Sequence, residues 1–161
     1  MTRQRRLCAA ILLVVALVAA AAYASNRKTA LDIEPVIASS GVSRGGETLL
    51  LARLVHGEAN AEPYAGQVAV ASVILNRVQA PGFPKSIPDV VYEPGAFESV
   101  SNGLIWSDYP SEENIAAATA ALNGWDPTYG ALFFWNPYKP VNPWVWTRQI
   151  VTQIGRHVFA L

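Results

Sequence analysis

Hydrophobic positions in the stretch LLARLVHGEANAEPYAGQVAVASVILNR, Leu50 to Arg77, follow a helical period interrupted once by a short polar gap. Leu51, Leu54 and Val55 precede Glu58 by seven, four and three residues, so all four lie on one stripe of a helix. That helix is expected from near Glu47 to Ala59 or Asn60, with Arg53 opposite Leu51. Pro63 suits a first helical turn and predicts a second helix from about Glu62 to Gln79. Val68, Ala71, Leu75 and Val78 form one stripe of it, and Val70, Val73 and Ile74 cover much of the remainder. Apolar nearly all round, it is expected to be the central buried helix.

After Gln79 the periodicity stops. APGFPKSIPDVVYEPGAF carries four prolines and two glycines, which predicts a loop holding one short helix, capped by Ser86 with Pro88 in its first turn. Ser111, followed by Glu112 and Glu113 and stopped by Gly124, frames a third long helix. ALFFW and VTQIGRHVFA then read as strand segments, joined by the proline- and tryptophan-rich NPYKPVNPWVWTRQ. Helices followed by a small sheet make an α+β domain, mainly helical, with a small antiparallel sheet near the C-terminus.

The N-terminal pattern differs. Arg3, Arg5 and Arg6 precede an uncharged apolar run from Leu7 to Ala22, and Ala22-Tyr23-Ala24 stands before Ser25. This is the layout of a secretory leader over residues 1–24, cleaved after Ala24. Retained, the same run would serve as a signal anchor, although its sixteen residues fall short of the roughly twenty of a spanning helix. Either way the domain is expected to be exported, to the periplasm or cell envelope, with anchoring to the inner membrane as the alternative. Residues 25–46, small, polar and aperiodic, read as a linker, and residues 47–161 as the domain.

Charge and cysteine content narrow the function classes. Three of the twelve basic residues lie in the leader and all twelve acidic residues follow it, which leaves nine basic against twelve acidic residues, a net charge of −3. Without a basic stripe, nucleic acid is not an expected partner. The only cysteine is Cys8, within the apolar run, so the domain has no disulfide, thiolate metal site or cysteine nucleophile. No cofactor is expected.

Glu58 is the residue whose placement asks for chemistry. Partial burial and the negative end of a helix both disfavour an ionised carboxylate, and a carboxyl group that retains its proton can deliver it to a leaving oxygen. The same placement also suits a structural ion pair with Arg53, Arg77 or His56.

Four blocks then carry a family resemblance: LLARLVHGEANAEPYAGQVAVASVILNRV, FPKSIPDVVYEPGAFESV, GALFFWNP and IGRHVFA. In order and spacing they resemble the cell wall hydrolase family that includes the spore cortex-lytic enzymes SleB and CwlJ, over about Thr48 to Leu161. The resemblance implies a lysozyme-like, lytic-transglycosylase-like fold, peptidoglycan glycan strands as partner and substrate, and Glu58 as catalytic acid and base. Two departures stand out. Asn60-Ala61 occupies the place where the family commonly has Arg-Gly, and no separate peptidoglycan-binding domain is recognisable, so a spore role is not implied.

Only Glu58 has the setting of a catalytic carboxylate; Glu62 is expected to complement the start of the second helix, and Glu93, Glu98 and Asp108, although able to approach the cleft, to be solvated loop charges. One carboxylate suffices for a lytic transglycosylase, in which the 6-hydroxyl of N-acetylmuramic acid replaces water and leaves a 1,6-anhydro end. Sugar faces need flat apolar surfaces, and their polar groups need amides and other hydrogen-bonding side chains. Tyr64, Gln67, Phe134, Asn136, Trp144 and His157 are the expected substrate contacts, while Asn76 is expected to hydrogen-bond a loop within the core. Two other classes remain open: a metal-dependent amidase or peptidase using His56, His157 and Glu58, and a murein-binding module without activity. About 160° of helix separates His56 from Glu58, which disfavours the metal site.

Overall fold

A computed structural model of the chain describes residues 44–161. The leader and residues 25–43 of the linker lie outside the described residues. Helix α1 spans Arg44–Ala59 and so begins three residues before the expected Glu47, taking up the end of the linker. Helix α2 spans Tyr64–Gln79, two residues shorter than expected, because Pro63 is its N-cap, in an extended conformation, and not a residue of the first turn.

Every residue of α2 from Gly66 to Ile74 is buried, as its nearly uninterrupted apolar surface requires. Leu51, Leu54 and Val55 of α1 pack against it, with Ala117, Ala118 and Ala121 of α5 (Glu112–Leu122) closing the other side. Small alanines let the α5 backbone come close to both neighbours. Ser111 caps α5 as expected: its Oγ accepts from Asn114 N–H at 3.1 Å, and Asn114 Oδ1 accepts from Ser111 N–H at 2.9 Å.

The proline-rich middle holds α3 (Ile87–Val91), capped by Ser86 Oγ, which accepts from Asp89 N–H. It also holds a single turn, α4 (Glu98–Ser101), that the sequence pattern does not show, since four residues carry no periodicity. Leu104–Trp106 and Pro143–Thr147 are 3₁₀ turns. The sheet has three antiparallel strands, β1 (Phe133–Trp135), β2 (Ile150–Ile154) and β3 (His157–Ala160), in the order β1-β3-β2. VTQIGRHVFA is thus a hairpin, β2 into β3, reversing at Gly155-Arg156. β3 is the central strand and its four residues are all buried. Phe159 enters the helical core, and Phe134 pairs opposite it on β1.

Candidate active site

Glu58 sits one residue before the end of α1, half-buried. Its neighbour Gly57 is what lets α4 approach. A Cβ at Gly57 would meet Ser99 Cβ at 2.5 Å and Ser99 Oγ at 2.8 Å, so only a glycine admits this contact. The closeness brings the backbone N–H of Ser99 to Glu58 Oε1 at 3.0 Å. No hydrogen bond from the described residues reaches Oε2. A carboxylate fixed at one oxygen and free at the other is suited to exchanging a proton with a ligand.

A cleft of about 310 Å³ opens over Glu58, and Phe134, Asn136 and His157 line it. Phe134 stacks on Phe97 (6.3 Å, 25°) and meets His157 edge-on (5.5 Å, 82°). Asn136 Oδ1 accepts from Tyr138 N–H, which fixes the turn that carries Lys139 to the cleft. Burial holds His157 below the ordinary imidazole value, against the opposing pull of Glu62 and Glu58.

Three other expected contacts, Tyr64, Gln67 and Trp144, do not line this cleft. Gln67 is 1% exposed: its Nε2 donates to Glu62 O and its Oε1 accepts from Asn114 Nδ2, so it serves a buried network and has no surface to offer a sugar. Tyr64 packs on Trp125 (5.8 Å), outside the Glu58 cleft. Trp144 lies over the Arg148 guanidinium (4.2 Å) and against Phe133, also outside it. Helical spacing and aromatic content do not show which wall of the fold a side chain joins.

Glu62 is also placed differently. Only 7% exposed, it turns from the α2 N-terminus to the hairpin, where its Oε2 accepts from Arg156 N–H (2.8 Å) and its Oε1 from Arg156 Nε (2.9 Å). Burial works to raise its carboxyl, but these bonds outweigh it and hold the group below the usual value. Asn76 does meet a loop: it donates to Asp126 Oδ2 and Ala131 O.

Sequence reasoning missed Arg77, Ser99, Trp135 and Lys139 as cleft residues. Arg77 alone left a signal, as a cation on an otherwise apolar helix. It is buried among Phe83, Phe97 and Phe133 at 5.3–5.6 Å, and its Nε donates to Leu132 O. Glu98, expected as a loop charge able to approach the cleft, is set on the cleft wall by α4.

His56 turns to α5, where its Nδ1 meets Asn114 Oδ1 at 3.0 Å, so the two histidines do not converge with Glu58. No group of three His, Cys, Asp or Glu side chains suited to a metal ion occurs among the described residues. A larger cavity of about 470 Å³ lies between α2, α3 and α5. Its carboxylates are Glu47, in the first turn of α1, and Asp126, whose oxygens accept from Asn76, Thr128 and Gly130.

The model of the cell wall hydrolase family (Hydrolase_2) matches residues 61–160. The chain belongs to this family. The match begins just after Glu58. The Bacillus subtilis spore cortex-lytic enzyme is 48% identical to this chain over 110 residues, covering 68% of this chain and 36% of the relative. The Oceanobacillus iheyensis spore cortex-lytic enzyme is 47% identical, covering 68% and 40%. The chain therefore spans well under half the length of these relatives. Cell wall hydrolase CwlJ of Bacillus subtilis is 29% identical over 118 residues.

Two solved structures share the fold. The catalytic domain of the Bacillus cereus SleB protein superposes with a TM-score of 0.68 at 44% identity, covering 76% of this chain and 94% of that one. The catalytic domain of the germination-specific lytic transglycosylase SleB from Bacillus anthracis gives 0.69 at 43%, covering 76% and 98%. The domain has the SleB catalytic fold, mainly helical with a small antiparallel sheet.

Proposed function

We propose that this domain cuts peptidoglycan glycan strands at the β-1,4 bond between N-acetylmuramic acid and N-acetylglucosamine, as a lytic transglycosylase. The observation that carries this reading is the Glu58 carboxyl group, with one oxygen held by Ser99 N–H and the other free in a cleft walled by Phe134 and Asn136. Membership of a cell wall hydrolase family and the SleB fold support the substrate class.

In the first step the Glu58 proton passes to the glycosidic oxygen as the bond to C1 of the muramic acid breaks, and N-acetylglucosamine leaves with a new hydroxyl. In the second, the muramic 6-hydroxyl oxygen bonds to C1 and its proton returns to Glu58. No water is consumed, and Glu58 ends protonated as it began. The leader-like N-terminal sequence supports action outside the cytoplasm, in the periplasm or envelope.

Glu98 on the same cleft favours a second reading, hydrolysis with Glu98 as the base that activates water. Digestion of purified murein followed by mass analysis of the termini separates the two. Anhydro ends, one water lighter than reducing ends, are expected; reducing ends throughout would overturn the transglycosylase reading. Loss of clearance in Glu58→Gln, with binding to sacculi retained, is expected as well. Clearance that persists would remove Glu58 from the mechanism.

A further inference from the structure

His157 opens β3 directly after the hairpin turn and borders the cleft with Glu58. Its ring is held edge-on to Phe134 (5.5 Å) and Phe159 (6.4 Å), so it has little freedom to flip. Nδ1 is sealed from solvent and has no hydrogen-bond partner among the described residues; Glu62 Oε1 lies 4.0 Å from it. Nε2 is neither sealed nor bonded by any described residue, and His157 lines the cleft.

The Glu62 carboxylate is itself rigidly placed. Arg156 donates to both of its oxygens, and a Cβ on Gly155 would overlap Oε2, so the turn is pressed against it. Behind it, Gln67 Nε2 donates to Glu62 O, Asn114 Nδ2 donates to Gln67 Oε1, and His56 Nδ1 meets Asn114 Oδ1. This buried chain fixes the segment that carries Glu62.

We infer that Glu62 is a positioning residue that sets the tautomer of His157, placing the proton on Nδ1 and presenting the Nε2 lone pair to a hydroxyl of the bound glycan. Electrostatics decides the tautomer. An N–H facing a buried carboxylate is attractive, whereas a lone pair facing it is repelled, and in a low-dielectric setting the difference is large. The charges around the ring are Glu62 before α2, Glu58 on α1, Arg156 in the turn and Lys139 after β1. Burial favours the neutral ring, in keeping with an acceptor. Hydroxyls are the commonest donors on a sugar, and an imidazole lone pair beside Glu58 would orient one of them. This role rests on the reading of the cleft as a glycan site; the tautomer does not.

The test uses the full chain labelled with ¹⁵N-histidine, which has only two histidines to assign. Long-range proton–nitrogen correlation spectra near neutral pH are expected to show His157 protonated at Nδ1, opposite to the tautomer that free imidazole side chains prefer in water. Protonation at Nε2 would overturn the inference. Glu62→Gln is expected to shift His157 toward the Nε2–H form; an unchanged tautomer would remove Glu62 from the role. If that variant does not fold, the wild-type spectrum still decides. On murein, His157→Phe is expected to lower kcat/KM by about tenfold or more, with His157→Gln, which keeps an acceptor, losing less. Unchanged turnover in His157→Phe would refute the hydroxyl contact. Activity that survives Glu58→Gln would instead refute the proposed function, with the tautomer result standing apart.

Discussion

Gly57 and Ser99 touch so closely that a methyl group on the first would collide with the side chain of the second. That contact holds α4 against the end of α1 and puts Ser99 N–H on Glu58. Gly57→Ala is therefore expected to displace α4 and break the bond to Oε1. Overpacking of this kind destabilises by about 1–3 kcal/mol. Urea unfolding should show that loss, and turnover of murein should fall by more than the folded fraction does.

The turn after α5 depends on one carboxylate. Asp126 accepts from Thr128 N–H (2.7 Å), Thr128 Oγ1, Gly130 N–H (2.8 Å) and Asn76 Nδ2 (3.0 Å). Asp126→Ala leaves these donors without their acceptor and is expected to cost about 2–3 kcal/mol in urea unfolding. The site lies away from the Glu58 cleft, so kcat of the remaining folded protein should be close to wild type.

Acid should destabilise the fold in two stages. His157 titrates below its ordinary value when folded, so the unfolded chain binds its proton first and stability declines as pH falls below about 6.5. Glu62 and Asp126 are both held below their ordinary values, chiefly by hydrogen bonds that outweigh burial. Their contribution is full above about 4.5 and 3.8, and is lost as pH falls through the folded values. Thermal melts from pH 8 to pH 3 should show a shallow decline and then a steep one. A melting temperature constant down to pH 4 would contradict the burial of His157.

Trp144 should matter to stability more than to catalysis. It covers the Arg148 guanidinium at 4.2 Å and packs edge-on to Phe133 at 5.2 Å. Trp144→Ala is expected to lower stability by about 1–2 kcal/mol while kcat/KM on murein stays within about twofold. A large rise in KM at unchanged stability would return Trp144 to the substrate surface.

Glu98→Ala separates the two chemical readings of the cleft. Under transglycosylation its anhydro products persist, because Glu58 performs both proton transfers. A variant that loses activity together with reducing-end products would make Glu98 the base of a hydrolase.

The long helices, the caps at Ser86 and Ser111, and the burial of α2 follow from the sequence, because apolar period and side-chain capping are local effects. The position of Glu58 was legible for the same reason, as a carboxylate on an apolar stripe at a helix end. α4 was not, since a single turn has no period and is held by tertiary contacts, Gly57 and Glu58 among them. Nor was the division of the polar residues between cleft and core. Gln67 and Asn76 both lie on α2, yet they face a buried network and a distant turn. Phe134 and Trp144, ten residues apart, end on different surfaces, because a three-strand register and a 3₁₀ turn decide which way each points. Glu62 shows the limit most clearly. Its partner Arg156 lies 94 positions away, and a bond over that separation is set by the closing of the hairpin onto the helices.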